Sequence, residues 1–278
     1  MSSIYGAIGY TILKNKKTNK SIIVFADMHD QLKPCKSLIN IDDWIKNKFN
    51  TSKIVLEEVP REGVQLKELW GTAKHTQLLK NLFLKNQNKI VGIDIRPYLI
   101  PFSWEVINEV DQEDKLYDIT FREYICTIDD FISLNHEYLI KNLKSYKFSN
   151  LNKINLGYHF LKLKLKFKDY IERHKQHLNC KIKQICNENR QVLQKLDNYL
   201  DKFMEWYTCS LIYENRHKSI VVHTGLMHSS NIIDLLELLY DYKKEKEIGV
   251  NTVSLDVFDN SETLDGCMML SDKDNKKF

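Results

Sequence analysis

Four apolar, β-branched runs of strand length, each ending in ionisable side chains, constrain the fold of this 278-residue chain more than any other feature. They are residues 22–30 (IIVFADMHD), 53–59 (KIVLEEV), 89–97 (KIVGIDIRP) and 219–230 (SIVVHTGLMHSS). Runs that are apolar throughout, without alternation, are the pattern of strands buried on both faces of a parallel sheet. The last run passes directly into 231–242 (NIIDLLELLYDY), apolar at helical spacing. In open α/β sheets, ligands and catalytic groups gather where strands end, because loops converge there and helix N-termini offer free N–H groups. A carboxylate at the end of a buried strand costs several kcal/mol unless it is paired, hydrogen-bonded or bound to metal. Several such ends in one chain therefore predict a shared polar site.

The fold class expected is α/β, a mostly parallel central sheet flanked by helices, with a long all-helical insertion between the third and the late strands. Residues 4–13 read as a first strand, turning through 15–21 (NKKTNKS) into the second. Helices are expected over 42–49, 66–84 and 231–242, and a last strand over 251–258. Between Phe102 and His223 there is no proline and one glycine, Gly157, and residues 114–146 and 170–213 carry apolar side chains at helical spacing. Leu178, Ile182, Ile185, Leu193, Leu196, Leu200, Phe203 and Tyr207 form the stripe of a long amphipathic helix. The domains expected are thus 1–101 and 219–270 as two parts of one α/β core, 102–218 as a helical insertion or cap, and 271–278 as a disordered tail. Residues 161–168 (LKLKLKFK) alternate strictly, the pattern of a strand with one apolar and one lysine face.

A net charge of +4 carries no strong nucleic-acid signal, and no run approaches the length of a membrane span. The N-terminal residues lack the basic region and apolar core of a signal peptide, which predicts a cytoplasmic chain. The six cysteines include no CxxC pair and predict reduced thiols rather than a zinc ribbon or a redox motif.

The strand ends suggest a family. Gly225-Leu226-Met227-His228 closes the late strand, Ala26-Asp27-Met28-His29 followed by Asp30 closes an early one, and Glu57 ends the strand between, with Glu58 as the alternative. This pattern resembles the superfamily that joins erythromycin esterases, ChaN-like haem-binding proteins and the TraB/Tiki metalloproteases. IVGIDIR is similar to a segment of the esterases, while Ala26 departs from the glycine of the early motif. The resemblance covers roughly residues 21–97 and 219–258. It implies a cluster of His29, Glu57 and His228 at the carboxyl edge of the sheet, supported by Asp27, Asp30, Glu58, Asp94, Arg96 and His223, the last also a possible third nitrogen ligand.

Two chemistries suit that set. Two histidines and a carboxylate can hold a divalent ion such as Zn, Mn or Co, which lowers the pKa of a bound water for attack on an ester or amide. Without metal, one histidine serves as general base, Glu57 orients it, and the other histidine or Arg96 stabilises the oxyanion. The substrate expected is a small molecule or a peptide. A ligand-binding protein on the same fold, haem-binding or degenerate, is the alternative from another class. Asp27-Met28-His29 also resembles the opening motif of calcineurin-like metallophosphoesterases, whose Gly-Asp and Gly-Asn-His motifs the chain lacks. The remaining histidines, His75 among them, read as unremarkable helical or surface groups.

Overall fold

The computed structural model describes residues 2–33, 36, 39–59, 73–96, 99, 118–133, 155–254 and 264–278. Two compact units divide the chain: Met1–Asp94 with Ile212–Phe278, and Ile95–Leu211.

The first unit is built on a six-stranded sheet. In chain order its elements are β1 (Ser2–Tyr5), β2 (Gly9–Asn15), β3 (Lys20–Asp27), β4 (Ile39–Asn40), α1 (Ile41–Lys46), β5 (Lys53–Leu56), α2 (Lys74–Lys85) and β6 (Ile90–Gly92). After the second unit come β7 (Ser219–Gly225), α6 (Leu226–Tyr240), β8 (Tyr242–Gly249), β9 (Cys267–Leu270) and α7 (Asp272–Asn275). The order across the main sheet is β6-β5-β7-β3-β2-β8, parallel through β3, with β2 and β8 antiparallel at one side. A smaller sheet pairs β4, β1 and β9.

The apolar runs became the central strands because both their faces are covered. Ile22, Ile23, Val24 and Phe25 of β3 and Ile220, Val221 and Val222 of β7 are all fully buried. On one face Ile23, Phe25, Ile54, Leu56 and Val221 pack with Trp44, Leu79, Phe83 and Phe278. Burying such a side chain contributes about 1.5–3 kcal/mol, so these strands have one stable register. That register sets Asp27 beside Gly225 and Leu56 beside His223, which brings the carboxyl ends of three strands to one place.

The elements described in the second unit are helical: α3 (Phe121–Ile132), α4 (Asn155–Arg173), a 3-10 turn (Lys175–His177) and most of α5 (Ile182–Glu214). Thr120 opens α3 with a capping box, its hydroxyl accepting from the Glu123 N–H while the Glu123 carboxylate accepts from the Thr120 N–H. No helix among the described residues is long and apolar enough to cross a membrane.

Several expectations need correction. The run 161–168 is helix, lying within α4. Leucine and lysine are both good helix formers, and Leu163, Phe167 and Tyr170 recur at helical spacing and are buried, whereas Leu161 and Leu165 face outward. The first strand is two, because Gly6 at φ +118° turns the chain between β1 and β2 and sends them to different sheets. In α5 the backbone breaks at Asn189 (φ −153°), and beyond it Val192 is buried where Leu193 was expected to be. The helix expected at 231–242 begins earlier, at Leu226, and the edge strand that follows is Tyr242–Gly249. Residues 251–254 form no strand, and 255–258 lie outside the described residues.

The tail is ordered. Ser271 caps α7 by accepting the Asp274 N–H at 3.1 Å, and Phe278 is buried in the main core, so an apolar terminal side chain fixes a segment that composition alone reads as solvent-exposed. The cysteines are not all free thiols either: Cys267 is disulfide-bonded, while Cys126, Cys180, Cys186 and Cys209 are free. Of the helix expected at 66–84, residues 66–72 lie outside the described residues, as do 114–117 and 134–146 of the segment expected at 114–146.

Candidate active site at the carboxyl edge of the sheet

The main sheet ends in an alternating chain of imidazoles and carboxylates. Asp27, the last residue of β3, is fully buried. Its Oδ1 accepts from the Met28 N–H at 2.8 Å and faces His75 Nε2 at 2.8 Å. Its Oδ2 lies 3.1 Å from His29 Nδ1, a charge contact rather than an aligned hydrogen bond, and makes no other hydrogen bond among the described residues. Burial pushes the Asp27 carboxyl up, but the contacts with His29 and His75 outweigh it and hold the group well below the usual carboxylate range.

His29 follows in a left-handed conformation, φ +58°, which a side chain with a Cβ adopts only when its surroundings hold it there. Here the ring is held between two carboxylates, Asp27 at Nδ1 and Glu57 Oε2 at 3.4 Å from Nε2. Burial draws the His29 pKa down, yet the two carboxylates raise it well above the ordinary imidazole value, which favours the protonated ring. Its side chain is 38% exposed, the solvent-facing member of the chain.

Glu57, just past β5, is 8% exposed. Its Oε2 accepts from the Gly225 N–H at 2.7 Å and its Oε1 lies 3.7 Å from His228 Nε2. Gly225 is the N-cap of α6, so the carboxylate also sits in the favourable field of a 15-residue helix N-terminus. A Cβ on Gly225 would lie 2.9 Å from His29 Nε2 and 3.4 Å from Glu57 Oε2. A side chain there would push the His29 ring aside, because the imidazole lies directly on the backbone. His228 projects from the first turn of α6, which Ser229 anchors: its hydroxyl meets the Thr224 hydroxyl at 2.7 Å and donates to Phe25 O at 3.2 Å.

The supporting residues divide. His223 donates from Nε2 to Gly6 O at 3.0 Å, and burial lowers its pKa, so it is a neutral structural group with that nitrogen committed. That contact ties its ring to the turn before β2. Asp30 accepts the Gln31 N–H at 2.7 Å, a local turn contact. Glu58 has its pKa raised to about 7, mainly by burial, with Asp94 and Glu57 adding to the rise and Lys80 and His29 opposing it. Asp94 is buried, and its N–H donates to Glu58 O at 3.1 Å. Arg96 belongs to the second unit, where it pairs with Asp201 at 3.0 Å.

His75 is the residue that sequence reasoning passed over. It is 1% exposed and holds Asp27, the far end of the same chain of groups. A signal for it existed: with Leu79, Leu82 and Phe83 it follows the apolar stripe of α2, and a histidine on a buried stripe needs a polar partner.

No set of three or more His, Cys, Asp or Glu side chains among the described residues is arranged to hold a metal ion. The donor types of His29, Glu57 and His228 suit a first-row divalent ion. As placed, however, the two imidazoles face different oxygens of Glu57, and the three donors do not converge on one point.

Fold and site together define an α/β protein whose parallel strands end in a buried imidazole–carboxylate chain with one imidazole facing solvent. No protein family, curated protein or solved structure matches the chain, so the site is interpreted from its own chemistry.

Proposed function

We propose that this chain hydrolyses an ester or amide bond of a small molecule or peptide, with His29, Glu57 and His228 as the catalytic group. The observation that carries the proposal is the placement of the His29 cation and the Glu57 carboxylate side by side, Nε2 to Oε2 3.4 Å, over the side-chain-free Gly225. A cation fixed in advance beside a carboxylate–imidazole pair supplies the two functions that acyl hydrolysis needs, stabilisation of an oxyanion and removal of a proton from water.

In this mechanism His228, oriented by Glu57, takes a proton from water as the water oxygen bonds to the carbonyl carbon. The oxyanion that develops is met by the His29 imidazolium, whose charge Asp27 and Glu57 maintain. Collapse of the tetrahedral intermediate breaks the bond to the alcohol or amine, and the imidazolium of His228 returns its proton to the leaving group. Because His29 acts in its protonated form, the rate falls as pH rises through the raised pKa of His29.

The test is hydrolysis of p-nitrophenyl esters and short peptides by the wild type and by His29→Gln, Glu57→Gln and His228→Gln. Loss of the base is expected to cost about 10²–10⁴ in kcat, and loss of the oxyanion stabiliser about 10²–10³. In His29→Gln the alkaline fall of the rate profile disappears. Rates unaffected by all three substitutions would refute the proposal. Turnover abolished by a chelator and restored by Zn, Mn or Co would replace this mechanism with a metal-assisted one at the same residues.

A further inference from the structure

We propose that His75 is a positioning residue for the Asp27–His29 pair, holding Asp27 Oδ1 from the first turn of α2 so that Oδ2 is left to His29 Nδ1. The proposal rests on the hydrolytic role of His29 for its consequence, though not for its geometry. His75 Nε2 lies 2.8 Å from Asp27 Oδ1, and both side chains are buried, 1% and 0% exposed. The Nδ1 atom of His75 is buried with no hydrogen-bond partner among the described residues. A hydrogen on that nitrogen would be buried without an acceptor, so the ring places its hydrogen on Nε2, directed at Asp27 Oδ1.

The packing around the ring keeps that orientation. Tyr5 meets it edge-on, with centroids 6.1 Å apart and planes at 84°. A Cβ on Gly6 would come within 3.0 Å of His75 Cβ, so the backbone there lies close against the base of the side chain. A histidine serving only to fill the core is best placed with both nitrogens satisfied, or replaced by an apolar residue. Here one nitrogen is left bare and the other is spent on a buried carboxylate whose remaining oxygen faces His29. The same logic orients imidazoles in hydrolytic triads and in carboxylate–histidine–metal sites, so His75 keeps its role under either chemistry.

Without the His75 donor, Asp27 Oδ1 retains the Met28 N–H at 2.8 Å. The carboxylate is then held at one contact where it had two, and the Oδ2–Nδ1 contact that helps to fix the His29 ring is loosened.

The experiment records imidazole ¹H–¹⁵N spectra of the wild type, His75→Gln and His75→Met, alongside kcat and KM for p-nitrophenyl acetate. The wild type is expected to show His75 with its hydrogen on Nε2 and His29 with an Nδ1–H resonance slowed in exchange by the Asp27 contact. His75→Met loses that His29 resonance and about 10–100-fold in kcat with KM little changed, while His75→Gln, which restores an N–H donor, recovers both. A His29 resonance unchanged in His75→Met overturns the proposal. So does a wild-type His75 that carries its hydrogen on Nδ1, an outcome that needs no folded variant. If the wild type fails to hydrolyse the ester, the hydrolytic reading is in question, and the spectra alone decide the role of His75.

Discussion

Gly225 shows at the scale of one residue how this site is built. The His29 ring occupies the room that a side chain on Gly225 would need, with Nε2 2.9 Å from the place of the missing Cβ. Gly225→Ala is therefore expected to push the imidazole away from Glu57 and to lower kcat about 10²-fold, with little change in the thermal midpoint. Kinetics beside a melting curve check this, and an alanine variant of wild-type activity would show that the close approach is unimportant. His29, Glu57 and His228 were legible because each stands where an apolar run stops, and the structure brings all three together. His75 was not legible by that rule, because it enters from a helix and its partner, Asp27, is distant in sequence. Arg96 also follows a strand end, and its guanidinium pairs with Asp201 within the second unit.

At the scale of the element, α4 separates two ways of interpreting the same letters. Strict alternation in 161–168 makes Leu161, Leu163, Leu165 and Phe167 equivalent in a strand, whereas the helix buries Leu163 and Phe167 and leaves Leu161 49% and Leu165 58% exposed. Leu163→Ala is expected to cost about 2–5 kcal/mol, and Leu165→Ala to stay within about 0.5 kcal/mol. Chemical denaturation measures both, and equal losses would restore the strand. The central strands were easier to recognise because a run apolar on both faces has one solution, burial inside a sheet. Alternation at a helical layer has two, and tertiary packing chose between them. Helix ends were less legible still: α6 begins at Leu226, inside what reads as a strand's terminal turn, because the backbone of Gly225 serves as both strand end and helix cap.

At the scale of the molecule, β7 lies between β5 and β3, so the sheet is incomplete until a strand from late in the chain is inserted. The site has the same dependence, since Gly225 and His228 arrive with β7 and α6 while Asp27, His29 and Glu57 arrive early. Pairings so far apart in sequence make folding slow relative to a helical chain of equal length. The last residues close the same core: Phe278 is 2% exposed, and Trp44 Nε1 donates to Asn275 Oδ1 at 2.9 Å. Phe278→Ala is expected to destabilise the first unit by about 3–5 kcal/mol, where a disordered tail would register nothing. The anchoring was hidden in the sequence because a charged segment with one apolar residue resembles a solvated terminus.

The electrostatic claim at the centre of the proposed mechanism is that His29 is a cation at neutral pH, held by Asp27 and Glu57. A ¹³C NMR titration of the histidine rings tests it without a substrate. His29 is predicted to lose its proton above the ordinary imidazole value of about 6.5, and Glu57→Gln is predicted to move that midpoint down. A His29 that titrates at or below the ordinary value and ignores Glu57→Gln would contradict the mechanism, because no cation would then await the oxyanion.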